Sequence, residues 1–183
     1  FSTGMYTLDD IKNTLNIFKD QKNPDIIVLH CNTSYPTKPS EVYLKNIQLI
    51  NERFNIVTGY SDHTKGYHIP LASVLLGAKV IEKHICPDFN VKNAQDWKVS
   101  CGPEDLKKFI TELREIEETI KNFKTEISST EKESKIWATK SLHLLKSLKK
   151  GSSIVKEHII SQRPGNGIPP SKINSIIGKK IKK

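Results

Sequence analysis

Apolar positions along the first 120 residues follow two alternating rhythms. The short continuous runs DIIVLHC (25–31) and NIVTGYS (55–61) have the β-branched character of strands buried on both faces. AKVIEKHI (78–85) is a third such run, and FSTGM (1–5) reads as the end of an earlier strand. Between these runs the apolar spacing lengthens to that of helices. TLDDIKNTLNIFKDQ (7–21) is amphipathic, with Thr7 placed as N-cap and Asp10 in the reciprocal position three residues later. SEVYLKNIQLINERF (40–54) predicts a helix capped by Ser40, with Leu44, Ile47, Leu49 and Ile50 roughly on one face. HIPLASVLLGA (68–78) predicts a short apolar helix with Gly77 at its C-terminal end. GPEDLKKFITELREIEETIKNF (102–123) predicts a long helix with Pro103 near its first turn.

Strands and helices in strict alternation, with short connections, imply an α/β fold with a parallel sheet and right-handed crossovers. Four such units make half of an eight-fold βα (TIM) barrel, or a small open sheet. Barrels place their chemistry at the C-terminal ends of the strands. The polar residues of this chain gather there: Ser2 and Thr3, His30 to Thr33, Ser61 to Thr64, and His84. A half barrel has two open edges, and FSTG reads as the tail of a strand, so the chain is expected to be a fragment cut at its N-terminus. Residues 124–136, KTEISSTEKESKI, suit a linker, and residues 137–183 are expected to form a small β-rich second domain, truncated at its end.

Composition narrows the function. Apolar content of 36% and charged content of 27% are ordinary for a globular protein. No apolar run approaches the ~20 residues a membrane span needs, so no membrane partner is expected. Three cysteines without C-x-x-C spacing disfavour a disulfide scaffold or structural zinc site and fit a reducing, cytoplasmic setting. The net charge of +9 is uneven: residues 121–183 hold 15 Lys/Arg against 4 Asp/Glu, giving +11. That stretch has one arginine, Arg163, and two aromatic residues, Phe123 and Trp137. Nucleic-acid modules mix basic residues with stacking aromatics, so a solvated lysine-rich face is expected and no nucleic-acid partner. A non-catalytic carbohydrate- or nucleic-acid-binding module using the basic tail is the alternative function class.

His63 and His84 each close a strand, 21 residues apart, which is about one βαβ step. Side by side they would suit a divalent ion such as Mn, Fe, Co or Zn, left open as a Lewis acid. On spacing alone, a hydrogen-bonded structural role is the more usual one for a histidine at a strand end. Asp62 and Glu82 are candidates to orient the rings, or to pair with lysines. Ser2, Thr33 and Ser61 end strands near the following helix, where hydroxyls and backbone N–H groups suit a phosphate, or where they would only cap helices. Tyr35 is placed to contact a ligand. Asp96 and Lys98, in NAQDWKVS (93–100), are substrate candidates on a loop after the fourth strand.

STGM, LHCNTSYPT, GYSDHT, GAKVIEKHI, QDWKVSCGPEDL and RPGNGIPP occur in that order. This sequence of motifs resembles the sialic acid synthase family: the N-acetylneuraminate, legionaminate and pseudaminate synthases. The resemblance implies the C-terminal half of a TIM (β/α)8 barrel over 1–123 and a small antifreeze-like (SAF) domain over 137–183. It implies metal-dependent condensation of phosphoenolpyruvate with an N-acetylated amino sugar to a nine-carbon keto acid plus phosphate. His63 and His84 would be the ligands of Mn²⁺ or Mg²⁺. Ser61, Thr33 and Ser2 would hold phosphoenolpyruvate, and Tyr35 and Asp96 the amino sugar. Arg163 would reach the sugar's N-acetyl group from the SAF domain of a partner in a domain-swapped homodimer, with Trp137 a further sugar contact. Trp97 stands where many members have His, and one residue is inserted between His84 and Asp96, so the loop over the sugar departs from the pattern. The first four barrel strands, with the other phosphoenolpyruvate contacts and an acid/base glutamate, are not in this sequence, and the stretch by itself is expected to be inactive. A 3-deoxy-sugar acid synthase on the same barrel is disfavoured by the RPGNGIPP tail.

Overall fold

The computed structural model describes residues 1–21, 25–90 and 96–182. It divides into two units, Phe1–Phe123 and Lys124–Lys183. In the first, three parallel strands lie in the order β1 (Ile27–Cys31), β2 (Val57–Asp62) and β3 (Ile81–Lys83). The registers pair Cys31 with Ser61, Ser61 with Glu82, and Asp62 with Lys83. Phe1 to Thr3 extend the sheet beyond β1: the Leu29 N–H donates to Phe1 O at 2.8 Å and the Thr3 N–H to Leu29 O at 2.9 Å. Ile85 forms a parallel bridge with Cys101 at the other edge. Helices α1 (Leu8–Asp20), α2 (Asn46–Phe54), α3 (His68–Leu75) and α4 (Pro103–Ile120) alternate with the strands.

Two apolar clusters hold this unit together. Ile11 and Leu15 of α1 pack with Val28 and Ile50. Val42, Ile47, Tyr60, Ile69 and Ala78 form the other cluster, on the helix-covered side of β2. Gly59 is required in β2, because a Cβ there would stand 2.3 Å from Val80 O and 2.6 Å from a Leu29 methyl. Thr7 caps α1 with the expected reciprocal Asp10 contact.

Ser40 does not cap a helix over 40–54. Pro39–Glu41 form a single 3₁₀ turn, Tyr43 takes a left-handed φ of 49°, and α2 begins at Asn46. Tertiary contact decides this: the buried His30 ring donates from Nε2 to Val42 O at 2.5 Å, and the Asn46 N–H bonds Tyr43 O instead. With the later start, Ile47 and Ile50 face the core while Leu49 is 44% exposed.

In the second unit, residues 124–136 are not a plain linker. Ser128 begins α5 (Ser129–Ala138) through a capping box with Glu131. Two antiparallel strands follow, β4 (Ser141–Leu144) and β5 (Ile159–Gln162), with an isolated bridge between Ser153 and Lys180. Among the described residues that is all the strand present, less than a β-rich reading expects. The dense Gly and Pro of RPGNGIPP remove the donors and regular φ angles a longer ladder would need.

Candidate active site

His63 and His84 follow the last residues of β2 and β3. Neighbouring parallel strands therefore bring the two rings together, with centroids 5.0 Å apart and planes at 67°. Tyr35 lies against both, 4.1 Å from His63 and 5.7 Å from His84. His63 is buried, and its Nδ1–H donates to Asn32 O at 2.7 Å. A neutral ring so arranged keeps its lone pair on Nε2. The backbone is pinned too, since the Thr37 N–H donates to His63 O at 2.8 Å. His84 Nδ1 stands 3.6 Å from Asp96 Oδ2.

The ring environment is electrostatically tense. Burial opposes charge on His63. Its contacts to Cys31 Sγ (3.7 Å) and Asn32 O, and the charges of Cys31 and Asp62, outweigh burial and hold its pKa above the ordinary value. Burial pushes the Cys31 thiol up, but hydrogen bonds with His63 and Ser61, the His63 charge and the Gly4 backbone bring it below the usual range.

These residues fit a divalent cation. Two imidazole nitrogens at about 2.1 Å from one ion put ring centroids roughly 4.5–5.5 Å apart, which brackets the observed spacing. A carbonyl fixing the other nitrogen of His63 is the usual support for a ligating imidazole. Among the described residues no group of three or more His, Cys, Asp or Glu side chains gathers as a metal site.

Neither Asp62 nor Glu82 orients the imidazoles by a direct hydrogen bond. Asp62 lies on the helix-covered face. Its Oδ2 is 2.5 Å from Lys83 Nζ, and its Oδ1 accepts from the Tyr60 hydroxyl, the Thr64 N–H and the Thr64 hydroxyl. Burial first, then Asp62, pushes the Tyr60 hydroxyl far above its ordinary pKa. Glu82 instead accepts from Ser61 Oγ at 2.6 Å, so the hydroxyl expected to meet an anion points its proton at a carboxylate. Ser2 and Thr33 are exposed, and Thr33 Oγ1 sits close to Gly4. Residues 91–95, which include the first three of the NAQDWKVS loop and lie within the His84–Asp96 interval where one residue is inserted, are outside the described residues.

Sequence reasoning noticed Asn32 only as part of a polar strand end. Its Nδ2–H donates to Glu41 O at 2.9 Å, and its buried Oδ1 has no hydrogen-bond partner among the described residues. It is an open acceptor beside the His63 support.

Arg163 belongs to the second unit, where it is exposed just after β5. The following loop is bound tightly to its own unit. The buried Ser141 hydroxyl donates to Pro164 O at 2.6 Å, and the Gly165 N–H to Ile136 O at 2.7 Å. Trp137, in α5, is exposed.

A family model described as "NeuB family" matches residues 1–125. The chain is 38% identical over 97% of its length to an N,N'-diacetyllegionaminic acid synthase of Campylobacter jejuni, covering 54% of that protein. It is 35% identical over its full length to a pseudaminic acid synthase of the same species, covering 52% of it. The chain thus spans about half the length of these curated relatives. A solved N-acetylneuraminic acid (sialic acid) synthetase from Leptospira borgpetersenii superposes with TM-score 0.64 at 37% identity, over 73% of this chain and 46% of that one.

Proposed function

The chain belongs to the NeuB family, and from that premise we propose that the enzyme containing it condenses phosphoenolpyruvate with an N-acetylated amino sugar. The products are a nine-carbon sialic-acid-type keto acid and inorganic phosphate. A carbon–carbon bond forms between C3 of phosphoenolpyruvate and the open-chain sugar's aldehyde carbon. Water adds at C2, and the C–O bond to phosphate breaks. Residues 1–123 are read as part of a TIM barrel and the second unit as an antifreeze-like domain that completes a partner's site.

The observation that carries this reading is the pair of imidazoles 5.0 Å apart on neighbouring strand ends. His63 and His84 would hold Mn²⁺ or Mg²⁺, which supplies Lewis-acid polarisation of the aldehyde oxygen. The residues around them bind and orient. Ser61, Thr33 and Ser2 receive the phosphate and carboxylate of phosphoenolpyruvate, which requires the Ser61 hydroxyl to turn from Glu82. Tyr35 and Asp96 contact the amino sugar. Arg163, exposed on its loop, meets the N-acetyl carbonyl, for which a planar guanidinium is well shaped.

The test is an assay of the full-length enzyme with phosphoenolpyruvate and a panel of N-acetylated hexosamines and diacetamido sugars. Phosphate release is expected with added Mn²⁺ and none after chelation. His63→Ala and His84→Ala are each expected to lower kcat by at least about 1000-fold, a few kcal/mol of transition-state stabilisation, with little loss of folding. Full activity in either variant contradicts the reading.

A further inference from the structure

A buried charge pair lies one residue ahead of both metal-site histidines. Asp62 precedes His63, Lys83 precedes His84, and the two are partners in the β2–β3 register. Their side chains are 0% and 5% exposed. Lys83 Nζ reaches Asp62 Oδ2 at 2.5 Å and also donates to Thr64 O at 2.8 Å. Asp62 Oδ1 holds the Thr64 N–H at 2.9 Å and its hydroxyl at 2.7 Å. The residues on both sides of His63 are thus gripped by one network, while its ring and that of His84 meet on the opposite face. Side chains alternate across a strand, so the network sits behind the imidazoles and leaves the ligand side free.

β3 is three residues long, and its ladder to β2 ends at this pair. A buried ion pair is a poor source of net stability, since well-packed apolar residues often do as well. What it does supply is a fixed register and orientation at the end of a short strand. We propose that the Asp62–Lys83 pair is a positioning clamp that locks the β2 and β3 ends together and so sets the His63–His84 spacing for one divalent cation. The proposal rests on the metal reading of those histidines.

The test uses full-length metal-free protein titrated with Mn²⁺ alone, free ion being read by electron paramagnetic resonance and folding by apo-protein melting. The double variant Asp62→Asn/Lys83→Met removes both charges without leaving one buried alone. It is expected to fold and to bind Mn²⁺ about 10- to 100-fold more weakly, the range seen when supports of ligating residues are lost. A core control, Val28→Ala, is expected to lower the melting temperature and leave Mn²⁺ affinity unchanged. Wild-type affinity in the folded double variant overturns the clamp, as does equal weakening in Val28→Ala. If the double variant does not fold, Lys83→Arg decides. It keeps the charge, but the larger planar guanidinium cannot take the compact ammonium's place between Asp62 Oδ2 and Thr64 O without shifting the strand ends, so about 3- to 10-fold weaker binding is expected, and unchanged binding overturns the proposal. Wild-type protein that binds Mn²⁺ no better than His63→Ala refutes the metal reading itself, a separate outcome from failure of the clamp.

Discussion

His30 and His63 show how neighbours assign different work to one residue type. His30 is buried beside Tyr60 and gives its Nε2 proton to Val42 O, shaping the turn before α2. Burial pushes its pKa below the ordinary value, and the Val42 carbonyl only partly opposes this. The unfolded chain therefore binds a proton that the folded chain refuses. The stability His30 contributes is full above about pH 6.5 and is lost as pH falls through its lower folded value. Denaturant melts of wild type and His30→Gln between pH 7.5 and 5 check this. The wild type is expected to lose more stability over that range, by at most about 1.4 kcal/mol per pH unit. Parallel pH profiles would contradict this, since they would mean that folding leaves the proton affinity of His30 unchanged. In the sequence the 21-residue spacing of His63 and His84 set that pair apart from His30. The structure adds the partner of each ring, the Val42 carbonyl for His30 and the Asn32 carbonyl with a second imidazole nearby for His63.

At the scale of elements, local signals that need no distant partner were the readable ones. The capping box of α1 and the αL glycine after α3 stand where the sequence puts them. The start of α2 and the helix inside the supposed linker were not readable. The first is moved by a contact from His30, sixteen residues before Asn46. The second is a Ser/Glu capping box hidden in a polar stretch whose composition looks like linker. The Arg163 loop shows a further element-scale dependence. Gly165 lies against Thr139, and any Cβ there collides with it, while Ser141 holds the Pro164 carbonyl. Ser141→Ala is expected to loosen the loop and raise the amino-sugar KM several-fold, with the phosphoenolpyruvate KM unchanged. Arg163→Ala should do the same more strongly. Steady-state kinetics varying each substrate in turn distinguishes this from general loss of fold, which would lower active enzyme without separating the two KM values.

For the whole molecule, family membership was legible because linked motifs run through both units in order, whereas the electrostatics of the site were not. No spacing rule reveals that Ser61 faces Glu82, or that the Asp and Lys flanking the histidines find one another across the sheet. Both pairings depend on the register of two strands whose partners are 21 residues apart. The same register supports the proposed site, in which one divalent ion would be held by two imidazoles from adjacent strands. Electron spin-echo spectroscopy of Mn²⁺ bound to the full-length enzyme measures that most directly. The account predicts one ion per subunit coupled to two imidazole nitrogens, falling to one nitrogen or to no retained ion in His63→Ala and in His84→Ala. Bound Mn²⁺ with no nitrogen coupling, or coupling unchanged in both variants, would contradict it.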